Sequence, residues 1–255
     1  CADGSLERRL PMKAWIQIAT FLMLVGMPNA ALADNANIVR TAQGEYSYIN
    51  QDTGEIVGHE DWSMLVDRSG ARTFTIAQRW DERDYVTRTI FRVDANLRPI
   101  ESFQTRWDDK GWMSSGVYTV VENTVTAVVT GRGGRATQTL EVPEKFSMVP
   151  HPLTTDGLHF WYVDSPIGET IEGTAYNVKK RDELSGGILG VVHPVELTYL
   201  GVENVTTAAG TFETKHFKMG DDSDFWIDAR DGILVRLSYS PEGTRYDLTA
   251  FERDD

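Results

Sequence analysis

The sequence predicts an all-β fold: a single strongly curved antiparallel sheet forming an open or half barrel, with a long loop or short helix covering the concave face. Three observations predict it. Apolar and polar residues alternate over many short segments. Tight-turn residues separate those segments at short intervals. One stretch, 143–165, abandons the alternation and, with the residue that follows it, holds Pro143, Pro150, Pro152 and Pro166. About twelve strands are predicted, and a twisted open sheet rarely exceeds ~10 strands without curling or splitting. Curling also removes exposed edges. A two-sheet sandwich is the alternative.

The segments follow in order. Ile56 to Val66 alternates, with Glu60, Trp62 and Met64 on one face and His59, Asp61 and Leu65 on the other. Arg72 to Trp80 places Phe74, Ile76 and Trp80 together. Tyr85 to Val93 follows the charged turn Asp81-Glu82-Arg83-Asp84, and Ile100 to Trp107 follows Asp94-Ala95-Asn96. Gly116 to Val121 and Val125 to Thr130 read as a hairpin about Glu122-Asn123. Thr137 to Val142 comes after the glycine-rich turn Gly131-Arg132-Gly133-Gly134. Residues 143–165 then read as a connection packed over the sheet, with Leu158-His159-Phe160-Trp161-Tyr162 as one or two helical turns. Strands resume at Glu169 to Val178, Val191 to Leu200, Gly210 to Met219, Asp224 to Asp228, Gly232 to Ser240 and Arg245 to Phe251. Lys179 to Gly190 reads as a polar, glycine-rich loop.

The first residues point to export. Met12-Lys13 opens a positive region with Arg8 and Arg9 upstream, an apolar run extends from Ala14 to Met27, and Pro28-Asn29 ends it. Ala31-Leu32-Ala33 supplies small residues for cleavage, so residues 12–33 read as a signal peptide with 1–11 as an upstream extension. The run is too short for a membrane span. Residues 34–255 are expected as one β-barrel-like domain, periplasmic and without a stable membrane span. Cys1 precedes the apolar run and leaves the rest of the chain cysteine-free. A domain of this length can build its core without disulfides.

The net charge is −13; beyond residue 33, 22 basic residues face 36 acidic ones, a net of −14. Such a surface repels phosphate backbones, so nucleic acid is not expected as a partner.

The C-terminal stretches Gly210-Thr211-Phe212-Glu213-Thr214, Asp224-Phe225-Trp226-Ile227-Asp228, Asp231-Gly232-Ile233-Leu234-Val235-Arg236 and Gly243-Thr244-Arg245-Tyr246-Asp247-Leu248 carry a resemblance. The pattern resembles the DUF3108-type families of exported bacterial proteins, which look related to LolA/LolB-like lipoprotein carriers. The resemblance covers the last part of the chain well and the middle poorly. It implies a curved antiparallel sheet wrapped into an unclosed barrel with a concave apolar face, and it implies no catalytic residues.

The residue chemistry sets the remaining expectations. His59, His151, His159, His193 and His216 lack the close spacing of zinc ligands, so no metal and no cofactor is expected. Asp221, Asp222, Asp224 and Asp228 read as a solvated turn rather than a calcium loop. No nucleophile-elbow or Ser-x-x-Lys motif occurs. Glu60, beside Trp62, is either a buried proton donor or the partner of an interior arginine such as Arg88 or Arg106. The tryptophans at 62, 80, 107, 112, 161 and 226 either fill a core or line an apolar site. The expected ligand-binding set is Trp62, Trp107, His159 and Trp161, with Glu60 or Arg106 as polar anchor; Glu60 and His159 are the catalytic candidates. Three functions fit: a binding or carrier protein for an apolar small molecule or lipid, an enzyme performing acid–base chemistry on an apolar substrate, or an envelope structural protein.

Overall fold

The computed structural model describes residues 37–81, 85–150, 152–178 and 189–254. The predicted signal peptide, residues 82–84 of the charged turn, His151 and most of the Lys179–Gly190 loop lie outside them. Among the described residues no helix is long and apolar enough to cross a membrane.

Fifteen strands form one sheet. They are β1 Ile38–Asn50, β2 Ile56–Asp67, β3 Arg72–Trp80, β4 Tyr85–Val93, β5 Pro99–Asp108, β6 Gly111–Val121, β7 Thr124–Gly131 and β8 Gly134–Glu141, then β9 Ser147–Val149, β10 Thr170–Val178, β11 Gly190–Thr207, β12 Gly210–Met219, β13 Ser223–Asp228, β14 Leu234–Tyr239 and β15 Thr244–Arg253. The order is β8-β7-β6-β5-β4-β3-β2-β1-β15-β14-β13-β12-β11-β10-β9. Every neighbour is antiparallel except β9, which lies parallel to β10. The chain is therefore two meanders joined where β1 meets β15.

Alternation selects the inner face. On β3, Arg72, Phe74, Ile76, Gln78 and Trp80 are buried, and the residues between them are half-buried or exposed. The inner row continues in register across the ladder: Met64 opposes Phe74, and Phe74 opposes Phe91. All three are fully buried, and each such side chain contributes about 1.5–3 kcal/mol through removal from water. The core lies inside the curled sheet.

The ladder does not close, since β8 and β9 are its two edges. A side chain of one edge strand reaches the other half of the sheet at the start of β11. Gln138 of β8 donates through Nε2 to Gly190 O at 2.9 Å and accepts from Gly190 N at 3.0 Å through Oε1. A primary amide has one donor and one acceptor side, as a peptide group does, so Gln138 stands in for a strand residue at the seam. Tyr118 and Tyr176 meet edge-to-face across the same interior, their centroids 6.4 Å apart.

The 143–165 connection covers the concave face with β9 and a 3₁₀ helix at Leu153–Leu158, so the helical turns expected at Leu158–Tyr162 lie one step earlier in the chain. Interior hydrogen bonds fix it: Gln104 Nε2 to Pro150 O, Leu153 N and Thr154 N to Glu60, and Ser147 Oγ to His159 O. At Gly157 a Cβ would stand 2.1 Å from Gly232 O, so only glycine lets the helix backbone approach the β13–β14 turn this closely.

Candidate functional site

Beneath that connection lies a cavity of about 730 Å³. One wall comes from β1 and β3–β5, through Tyr48, Gln78, Trp80, Tyr85 and Arg106. The opposite wall comes from β10–β14, including Ala175, Val195, Met219, Phe225 and Leu237. Leu153, Asp156 and His159 form the cover. Aromatic rings shape the first wall: Tyr48 meets Trp80 at 4.8 Å and Tyr246 at 4.9 Å between centroids, both edge-to-face.

The cover is held by Glu60, which is fully buried. Its Oε2 accepts from Tyr48 OH at 2.7 Å and from Leu153 N at 2.8 Å; its Oε1 accepts from Thr154 N at 2.6 Å and Thr154 Oγ1 at 2.5 Å. Gln78 Nε2 donates in turn to Tyr48 OH at 2.9 Å. Burial pushes the Glu60 carboxyl up from 4.5 to about 7, against the pull of these hydrogen bonds. Burial, with the Glu60 charge beside it, likewise raises the Tyr48 phenol well above its ordinary value. The face shared by Glu60, Trp62 and Met64 is the buried one. The arginine partner does not: Arg88 is exposed on the outer face, and Arg106 bonds to Gln104 instead. Glu60 sits behind Tyr48 and Leu153 and is not among the lining residues.

Of the expected binding residues, the structure brings Arg106 and His159 to this cavity. His159 Nε2 lies 3.1 Å from Asp156 Oδ1. The three tryptophans are elsewhere. Trp62 packs over Gly44, where a Cβ would stand 2.8 Å from the indole, and tilts against Phe251 at 6.2 Å. Trp107 neighbours the inward Arg106 on the strand, so alternation with the local bulge leaves it half-buried on the other side. Trp161 donates Nε1 to Phe146 O at 2.9 Å and stands edge-on to Tyr162. In the cover it is Phe160 that enters the core, stacked on Phe217 at 4.6 Å. Sequence reasoning passed over Tyr48, Gln78 and Phe225; the parity shared by Gln78 and Trp80 was the signal available for one of them.

Among the described residues no group of His, Cys, Asp and Glu is arranged to hold a metal ion. His216 lies between Glu203, 2.8 Å from Nδ1, and Asp224, 2.9 Å from Nε2, and stacks on Trp226 at 4.5 Å. Asp224, expected as part of a solvated turn, is thus a hydrogen-bond partner of His216 within β13.

The chain belongs to the family DUF6134, a domain of unknown function, which matches residues 67–250. The sequence pattern noted at the C-terminus resembles a different set, the DUF3108-type families. Among solved structures the chain is similar to a β-barrel-like protein of the DUF1849 family from Brucella abortus, at 11% identity and TM-score 0.44 over 86% of this chain and 99% of that one. It is also similar to a DUF1089 family protein from Pseudomonas aeruginosa, at 12% identity and TM-score 0.41 over 71% and 88%. A chain with a YmcC-like fold from Bacteroides fragilis is 10% identical, with TM-score 0.27 over 83% and 95%. No curated protein matches the chain.

Proposed function

We propose that the protein binds an apolar small molecule or acyl chain in the cavity beneath the 3₁₀ helix, as a periplasmic binding or carrier protein. The observation that carries this reading is the cavity itself. Its volume of about 730 Å³ falls in the range of small-ligand sites, about 300–1,000 Å³. Its walls combine aromatic and aliphatic side chains with a substantial polar share that includes Arg106, Asp156, His159 and Glu242, which suits a ligand with an apolar body and a polar end. Kinship with LolA/LolB-like carriers and export by the Ala31-Leu32-Ala33 signal belong to the same proposal.

Trp80 lines the cavity and reports on its contents. Titration with fatty acids or terpenoids should shift or quench the tryptophan emission. Trp80→Phe should remove most of that response, and Trp226→Phe, remote from the lining, should leave it. If no apolar compound changes the emission and native mass spectrometry finds no co-purified molecule, the reading fails.

A further inference from the structure

The inner face of the first meander carries a polar row. Reading across the ladders, Tyr46 opposes Glu60, Glu60 opposes Gln78, Gln78 opposes Thr87, Thr87 opposes Arg106, and Arg106 opposes Ser114. The half nearest β1 is satisfied within the protein, by the Glu60, Tyr48 and Gln78 bonds described above. The other half is not. Thr87 Oγ1, Ser114 Oγ and Arg106 Nε are buried without a hydrogen-bond partner. Arg106 is 2% exposed; its guanidinium makes one hydrogen bond, from Nη2 to Gln104 Oε1 at 3.2 Å, and stands over the Tyr85 ring at 6.0 Å. No carboxylate pairs with it among the described residues. A buried cation without a counter-charge costs several kcal/mol, so proteins seldom keep one without use for it. Here that cation lines the cavity, while its register neighbours Thr87 and Ser114 are not among the lining residues.

We infer that the ligand is an amphipathic monoanion, an acyl chain ending in a carboxylate, whose head group sits on Arg106. The inference rests on the binding reading above and adds the head group to it. A carboxylate suits a guanidinium because its two oxygens meet the fork of N–H donors. One cation balances one negative charge. A phosphate monoester brings nearly two, and the cavity already holds carboxylates of its own in Asp156 and Glu242. The chain then extends toward Trp80, Phe225 and Leu237. The acidic surface of the protein does not prevent this, because charges beyond about 8 Å are screened at physiological salt.

The test compares dodecanoate, dodecanol and dodecyl phosphate on the purified protein by calorimetry, with Arg106→Met and Arg106→Gln as variants. Dodecanoate should bind at least tenfold tighter than dodecanol, about 1.4 kcal/mol, and tighter than dodecyl phosphate. Both variants should lose that preference and keep the alcohol's affinity. Arg106→Met should also raise the melting temperature of the unliganded protein, because it removes an uncompensated buried charge; a purely structural arginine would lower it. Equal affinity for acid and alcohol overturns the inference and leaves the binding reading intact. Preference for the phosphate overturns the carboxylate. Binding of none of the three overturns both.

Discussion

Replacing Glu60 with glutamine tests how the cover is held. In the folded protein the carboxyl titrates at about 7, against 4.5 for the free group, because burial outweighs four hydrogen bonds. At about 1.36 kcal/mol for each pH unit this difference corresponds to about 3 kcal/mol. The folded state keeps the proton over a window in which the unfolded chain has released it. The stabilisation from Glu60 is therefore complete below about pH 4.5 and is lost as pH rises to about 7. Glutamine cannot titrate, and it fits poorly. One backbone N–H, from Leu153, points at Oε2, and another, from Thr154, points at Oε1. Whichever way the amide turns, its NH₂ faces one of them and leaves it unpaired, at about 1–3 kcal/mol. Urea unfolding followed by fluorescence, for both proteins from about pH 4 to about pH 8, gives the difference in stability. Wild type should lead by about 1–3 kcal/mol at the acid end, and the lead should shrink by about 3 kcal/mol across the window and close or reverse above it. A difference that stays constant with pH would refute the claim that burial sets the protonation of Glu60.

Two further outcomes follow from the bonding outside the cavity. Asp231 is fully buried and pairs with Arg40, with Arg72 at 3.3 Å and with Arg253 at 3.6 Å, so Asp231→Asn should cost about 3–5 kcal/mol by leaving partly buried cations uncompensated, as read in urea midpoints. Gln138→Leu removes the two hydrogen bonds with Gly190 and the one from Tyr176 OH, and should cost about 1–3 kcal/mol. Amide exchange should quicken at Gly190 and stay unchanged in the centre of β3; equal protection in variant and wild type would show that the seam is held by packing alone.

Much of the fold is legible in the sequence, and the exceptions have physical causes. The segment predicted at Arg72 to Trp80 is β3, because regular alternation and charged turns leave no competing pattern. Strand β1 escaped notice because its inner row, Ala42, Gly44, Tyr46 and Tyr48, begins with an alanine and a glycine, and Ser47 is buried between the two tyrosines, which blurs the alternation. Strand β11 was expected to end at Leu200, before a glycine. Gly201 instead takes φ 115° at a bulge, and the strand runs on to Thr207. The site was less legible. Parity tells which way a side chain points but not how deep along the barrel it lies, so Trp62 is inward yet away from the cavity. Arg106 and Trp107 are consecutive on a strand and do not both face in. The pairing of Glu60 with the ends of backbone segments depends on where the connection crosses, a long-range fact no local pattern encodes.

The pairing of β1 with β15 has a consequence for how this architecture can be encoded. Ala42 lies opposite Arg253, and Asp254 N donates to Thr41 O at 3.0 Å, so the start of β1 and the end of β15 are side by side in the middle of the sheet. A gene opened between β8 and β9, with the old ends spliced by a short linker, would specify β9 through β15 and then β1 through β8. In that order each strand follows its own neighbour in the sheet, and the distant β1–β15 ladder becomes a hairpin. Folding speeds up as contacts become local in sequence. In the present order β1 and β15 meet in the middle of the sheet, so the two meanders must find each other before the interior is enclosed.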